Sequence, residues 1–271
     1  SLAFGGETTV MVNLTELWNG TNWAAVNPLN TVRGLLGGAG TDNTSALAFG
    51  GEAPPSTAST ELWNGTNWTA VNSLNNGRFT SGTAGTATSA LMFGGRVLPP
   101  GNRTNITESW NGTNWTTVNS LNTARSGLGA AGVDNTSALA IGGSTNVTET
   151  WNGTNWTEVN TLNTGRKKLA GAGADNTSAL AFGGNTPPAS KITELYNGTN
   201  WSEQNDLNTA TDNSTGTGTT TNALAFGDIG DEWTGAGVLV GAWSTAAAMS
   251  RGKYTGAAAG IQTSALYFGG N

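Results

Sequence analysis

The nine residues TELWNGTNW at positions 15–23 return unchanged at 60–68. Close variants begin at 107 (TESWNGTNW), 148 (TETWNGTNW) and 193 (TELYNGTNW). The first aromatic of the motif therefore recurs at Trp18, Trp63, Trp110, Trp151 and Tyr196, after 45, 47, 41 and 45 residues. A period of this size constrains architecture more than any local propensity, because each unit is one small supersecondary element that buries its apolar face against its neighbours.

Three further landmarks keep the same order. An apolar residue followed by Gly-Gly appears at Phe4, Phe49, Phe93, Ile141, Phe182 and Phe268, with Phe226-Gly227-Asp228 as a damaged copy. The second aromatic of each pair is Trp23, Trp68, Trp115, Trp156 and Trp201. Arg follows at 33, 78, 125 and 166. In the decayed last unit Trp243 takes the place of the second Trp, eight residues before Arg251. The repeats span about 1–34, 35–78, 79–125, 126–166, 167–211 and 212–271, as one domain of 271 residues.

Each unit parses into four strands. SALAFGG alternates large and small residues with a period of two. GLGAAGV before it has few side chains and suits a strand crowded by neighbours. TELW and NWTAVN form a second hairpin around Asn-Gly, a strong short turn signal. Whether NGTN is the loop or Asn-Gly alone is the turn, both indoles fall on one face of the hairpin. Each indole buries roughly 150–250 Å². Sheets built of Gly and Ala lack a core of their own, so the pairs Trp18/Trp23, Trp63/Trp68, Trp110/Trp115, Trp151/Trp156 and Tyr196/Trp201, with Trp243, are expected to pack unit against unit.

Four strands per unit, repeated about six times, predict an all-β propeller. Phe49-Gly50-Gly51, Trp63, Trp68 and Arg78 resemble, one by one, the landmarks of a kelch repeat. Two departures are the short spacing between the two aromatics and SLN in place of the usual Met-Pro before Arg. The resemblance implies a kelch-type β-propeller of four-stranded blades, closed by pairing of the N- and C-terminal strands. Six blades are expected; a duplicated Gly-Gly strand keeps seven as the alternative.

Composition narrows function. The chain has no Cys and no His, which removes thiolate chemistry, Ser-His-Asp triads and the usual zinc sites. No cofactor, metal or enzymatic activity is expected. A net charge of −6 argues against nucleic acid, and the one basic run, Arg166-Lys167-Lys168, reads as a solvated connection. Residues 234–250 are uncharged but Gly/Ser/Thr-rich, and read as a strand pair rather than a membrane insertion.

Adjacent strands run up and down, so the 1–2 and 3–4 turns share one face and the 2–3 and 4–1 connections the other. The 2–3 loops vary: ETTVMVN, EAPPSTAS, RVLPPGNRTN, STN, NTPPASK and DIGDEWTGAGV. This is either drift or a binding face on a rigid scaffold. On the second reading Arg96, Asn102, Arg103, Lys191 and Trp233 are the candidate contact residues. The Glu of each motif (Glu16, Glu61, Glu108, Glu149, Glu194) and the recurrent Arg read either as a charged channel ring or as pairs fixing blade to blade. Glu194 is the discriminating case, because its repeat carries Thr211-Asp212 where Arg is expected. Asp42, Asp134 and Asp175 read as turn residues. Low charge and Asn/Thr/Gly-rich repeats resemble kelch-like proteins of phage virions and bacterial surfaces. The expected role is a binding or structural module on a virion or cell surface, with other virion or surface proteins and a host glycan as partners. A bacterial lectin, adhesin or interaction scaffold is the alternative.

Overall fold

In a computed structural model, residues 1–19, 22–226, 230–235, 241–246 and 256–259 are described. They form six four-stranded antiparallel sheets and no helix. The first blade orders Ala257–Ala259, Leu2–Phe4, Thr15–Trp18 and Trp23–Val26 from inside to outside. The second runs Gly37–Ala39, Ala46–Phe49, Thr60–Trp63, Trp68–Val71, and the third Gly82–Gly85, Ala90–Phe93, Thr107–Trp110, Trp115–Val118. The fourth is Gly129–Asp134, Ser137–Ile141, Thr148–Trp151, Trp156–Val159, and the fifth Ala170–Asp175, Ser178–Phe182, Thr193–Tyr196, Trp201–Glu203. The sixth is Thr215–Gly218, Asn222–Phe226, Gly230–Thr234, Ala242–Thr245.

The wheel closes in the first blade, where the N-terminal strand pairs with a C-terminal one, Leu2 opposite Ala259 and Phe4 opposite Ala257. N- and C-terminal closure of a six-bladed propeller is therefore the observed arrangement. The second copy of the Gly-Gly strand, around Phe268, lies outside the described residues.

Innermost strands crowd the axis, which explains their poverty in side chains. A Cβ on Gly171 would stand 2.3 Å from the carbonyl oxygen of Ala130 in the neighbouring blade. Hydroxyls bridge where there is room: Thr83 Oγ1 donates to Gly38 O at 3.2 Å, and Thr215 Oγ1 to Gly256 O at 2.9 Å. Second strands such as Ala46–Phe49 are buried at every position, because a blade is covered on both faces by its neighbours.

The Trp hairpins adopt the NGTN register, Trp63 facing Trp68 and likewise Trp18/Trp23, Trp110/Trp115, Trp151/Trp156 and Tyr196/Trp201. The paired rings sit 5.1–5.5 Å apart. From the second blade onward each pair meets the apolar residue of the preceding blade's second strand: Phe4 lies edge-on to Trp68 at 4.8 Å, Phe93 to Trp156 at 4.7 Å and Phe182 to Trp243 at 4.8 Å, while Phe49 lies 4.9 Å from Trp115 and Ile141 packs with Tyr196 and Trp201. Leu29, Leu74, Leu121, Leu162 and Leu207, from the segment that departs from Met-Pro, fill the same joints. The core is thus a set of blade-to-blade joints.

The last unit corrects one expectation. Trp233 is not a loop residue. It lies in the strand Gly230–Thr234, opposite Trp243 and 1 % exposed, as the first aromatic of the sixth pair. Five of the eleven residues read as a long 2–3 loop therefore form a strand, Gly230–Thr234, which pairs with Ala242–Thr245.

Candidate functional site on the loop face

The loop face is assembled by a device repeated at four joints. The first Gly of a Gly-Gly pair adopts positive φ, +63° at Gly50, and the second donates its N–H to the carbonyl of the following Arg: Gly51 to Arg78 at 2.9 Å, Gly95 to Arg125 at 2.8 Å, Gly143 to Arg166 at 2.9 Å. The Arg backbone is thereby held to its own blade while its side chain crosses into the next. Arg33 donates to Gly50 O at 2.8 Å, Ser59 O at 2.7 Å and Glu61 Oε1 at 3.1 Å.

Arg78–Glu108, Arg125–Glu149 (2.7 Å) and Arg166–Glu194 (2.9 Å) repeat the bond, all buried. Desolvation by burial lowers the pKa of each of these four arginines, opposed by the paired carboxylate. A second carboxylate oxygen accepts from the preceding blade, as where Glu61 Oε2 takes the N–H of Asn30 at 2.7 Å and its side-chain amide at 2.8 Å. These charges join blades and do not line the channel.

Pairing runs forward along the chain, which resolves the fifth repeat. Glu194 keeps its partner, Arg166. The joint lacking Arg is the next one, where Thr211 stands for Arg and Asp231 for Glu. Asp231 retains only the polar half of the device, accepting the N–H and side-chain amide of Asn208 at 3.1 Å each.

Around the channel mouth runs a belt invisible in the sequence. The residue two after each Arg position adopts left-handed φ: Leu35 (+53°), Thr80 (+51°), Gly127 (+67°), Lys168 (+57°) and Asn213 (+58°). The last four donate their N–H to the carbonyl of the counterpart one blade back: Thr80 to Leu35 at 3.1 Å, Gly127 to Thr80 at 2.8 Å, Lys168 to Gly127 at 2.7 Å and Asn213 to Lys168 at 3.1 Å. Five different residue types hold one conformation, so residue identity carries no signal for it. Non-glycine residues there cost of order 1–3 kcal/mol each and persist because the ring bonds over-determine them. Inside the belt the channel opens as a cavity of about 170 Å³, lined by Leu36, Thr83, Lys168 and Ser214 among others.

Of the sequence candidates, four lie on this face and are exposed. Arg96 and Arg103 face each other across a two-stranded hairpin, Arg96–Val97 with Asn102–Arg103, that projects from the third blade. Asn102 is on the same hairpin, and Lys191 lies near the end of the fifth blade's loop. Trp233 is not among them. A usable signal was present: Asp231-Glu232-Trp233 places an acid two residues before Trp, as Glu16-Leu17-Trp18 does. On the opposite face Asp42 Oδ1 accepts Thr44 N–H and Oγ1–H at 2.7 Å each, and Asp134 and Asp175 do the same with Thr136 and Thr177. These are turn caps. Among the described residues no acidic cluster is arranged to hold a metal ion.

A closed wheel of six four-stranded blades, with short turns on one face and unequal loops on the other, defines the class: this is a six-bladed β-propeller. No family model matches the chain, and no curated protein matches it. The solved structure described as "Structure of YjhT" superposes with a TM-score of 0.72, covering 90% of this chain and 96% of that one at 10% identity. At that identity the likeness concerns the fold alone.

Proposed function

We propose that this chain is a kelch-type, non-enzymatic binding and structural module on an extracellular particle, foremost a phage virion, where it contacts a host surface or glycan. The observation that carries this reading is the contrast between joints and loops. Aromatic pairs and ion pairs repeat from blade to blade, while the 2–3 loops of one face differ in length and charge from the first to the fifth blade, the usual way a rigid scaffold presents a binding surface. The kelch assignment rests on Gly-Gly, the aromatic pair and Arg standing in kelch order and joining blade to blade. The non-enzymatic reading is supported by the lack of His and Cys, and by the engagement of Glu61, Glu108, Glu149 and Glu194 in joints.

The test combines location with adhesion. Antibody-gold labelling of intact particles and cells should mark an outer surface. Adsorption of the purified protein to host envelopes should fall when the third blade's hairpin is replaced by the three-residue loop of the fourth blade. Labelling confined to the cell interior, together with adsorption indifferent to the graft, would overturn the reading.

A further inference from the structure

The chain has 11 Lys and Arg. Arg33, Arg78, Arg125 and Arg166 are buried in blade joints, and Arg251 and Lys253 lie outside the described residues. The remaining five, Arg96, Arg103, Lys167, Lys168 and Lys191, are all exposed and all on the loop face. They also fall on one arc of it. Arg96 and Arg103 rise from the third blade, Lys167 and Lys168 lie in the connection between the fourth and fifth, and Lys191 lies in the loop of the fifth.

Hydrogen bonds make the arc continuous. Arg103 donates to Ser144 Oγ at 3.3 Å, and Ser144 N–H donates to the carbonyl of Arg166 at 3.2 Å, one residue before Lys167. Lys167 in turn exchanges backbone hydrogen bonds with Asn185, where the loop leading to Lys191 begins. The acids nearest this arc are held close to cations or on outermost strands. Asp212 lies 3.9 Å from Lys168 Nζ in a half-exposed pair, and exposed Asp206 neighbours buried Arg166. Exposed Glu158 neighbours buried Arg125, and exposed Glu203 stands opposite Glu194 on the last strand of the fifth blade. Glu7 belongs to the loop of the first blade, and Glu52 to that of the second, whose Ser56 exchanges hydrogen bonds with Leu98 of the Arg96/Arg103 hairpin.

The hairpin register adds an independent observation. Arg96 stands directly opposite Arg103, a like-charged cross-strand pair of the kind that destabilises a hairpin. Neither is in an ion pair among the described residues: Arg96 Nε bonds Gly101 O at 3.0 Å, and Arg103 bonds the Ser144 hydroxyl. An anion held between two guanidinium forks would relieve that repulsion.

The chemistry of the ligand follows from what else the face lacks. Neutral sugars are commonly held by stacking on an exposed aromatic ring. Every aromatic side chain whose burial is described is buried except half-buried Trp23, and Trp23 begins an outermost strand next to a turn of the opposite face. The arc offers cationic forks, ammonium groups and polar backbone instead, the donor set that suits carboxylate or sulfate.

We propose that the loop face of blades three to five binds an anionic polysaccharide, with Arg96 and Arg103 clamping one acidic group and Lys167, Lys168 and Lys191 following the chain. This rests on the surface-binding reading above and names its glycan as acidic. An arc across three of the six blades fits an extended polymer better than a single sugar.

The test measures binding of the whole protein to heparin, polygalacturonate, neutral dextran, a panel of other neutral glycans and duplex DNA, at about 50 and about 300 mM salt, where screening of exposed charges differs strongly. Expected is binding to the two acidic polysaccharides, weakened by salt, with none to dextran. The double variant Arg96→Ala/Arg103→Ala should lose about tenfold or more in affinity, and Arg103→Lys, which keeps charge but not the fork, should lose less. Unchanged unfolding midpoints guard against misfolding. Binding of acidic polysaccharides that is indifferent to these variants overturns the proposal, as does equal or tighter binding of duplex DNA. Binding of a neutral glycan alone overturns the acidic assignment while leaving the glycan-contacting reading in place. Binding of no glycan, acidic or neutral, overturns both.

Discussion

Trp68 donates its indole N–H to Thr15 Oγ1 at 3.0 Å, linking an outermost strand to the third strand of the blade before it, 53 residues earlier. The same bond joins Trp115 to Thr60 and Trp156 to Thr107 at 3.0 Å, Trp201 to Thr148 at 3.2 Å and Trp243 to Thr193 at 2.9 Å. The leading Thr of each motif is therefore the acceptor for a Trp of the following unit. Thr60→Val should leave the buried Trp115 N–H without an acceptor and cost about 1–3 kcal/mol. Trp68→Ala, which removes the ring from a filled joint, should cost about 3–5 kcal/mol. Urea unfolding of both variants checks the order, and equal costs would contradict the account of the joints.

Trp233 separates core from binding face. Its ring lies 5.4 Å from Trp243, and its N–H reaches Thr220 O at 2.9 Å. Trp233→Ala should therefore destabilise on the scale of Trp68→Ala, about 3–5 kcal/mol. Arg103→Ala should change the unfolding free energy by less than about 0.5 kcal/mol. Denaturant midpoints measured side by side decide the matter.

The ion pairs should be costly to break and cheap to replace. Glu149→Gln leaves the buried Arg125 without its counter-charge, and an unpaired buried charge costs about 3–5 kcal/mol. The double variant Arg125→Met/Glu149→Leu removes both charges and should cost less than the single one. The molecule contains a related case: Thr211 and Asp231 at the joint of the fifth and sixth blades dispense with the Arg while the Thr211 carbonyl still accepts from Gly184 at 2.8 Å. A double-mutant cycle gives the coupling directly.

Period, strand count and aromatic pairing were legible because the joint demands the same residues each time: two rings, an apolar partner, Gly-Gly and Arg. Pairing direction was not legible. Glu and Arg are equally regular within a unit, and only the crossing of Arg33 to Glu61 in the next blade shows that the unit of function is the joint. The left-handed belt escaped because Leu35, Thr80, Gly127, Lys168 and Asn213 share a backbone and no chemistry. Trp233 was misplaced because it stands ten positions before Trp243, against five between Trp63 and Trp68, and that irregular spacing hid the pair. The loop-face cations were visible singly, but their gathering on one arc required knowing that Arg78, Arg125 and Arg166 point inward.

Asp42 supplies the pH dependence. The Thr44 hydroxyl, followed by the Thr44 N–H, stabilises its charged form and holds its pKa below the ordinary carboxylate value. A depressed folded-state pKa means the cap's contribution is present above about pH 4, the unfolded value, and is lost as pH falls through the lowered one. A carboxyl-carbon NMR titration should give a midpoint below that of an unstructured Asp, and Thr44→Val should move it upward. An unchanged midpoint in Thr44→Val would remove the hydroxyl from the explanation.

The Gly-Gly doublet makes the sharpest contrast between two glycines of the same chain. At Gly50, φ is +63° and an added Cβ would sit 2.7 Å from the carbonyl oxygen of Arg78, the oxygen that receives the N–H of Gly51. At Gly65, in the Trp63/Trp68 turn, φ is +91° but the nearest atom to an added Cβ is Thr44 O at 3.4 Å. Both substitutions to Ala carry left-handed strain of about 1–2 kcal/mol. Only Gly50→Ala also displaces the arginine backbone, and with it the reach of Arg78 to Glu108. Gly50→Ala should therefore lower stability clearly more than Gly65→Ala, and hydrogen exchange should show the excess as faster opening at the Gly51 and Gly95 amides. Equal losses in the two variants would mean that the doublet serves only as a turn and that the arginine joint stands without it.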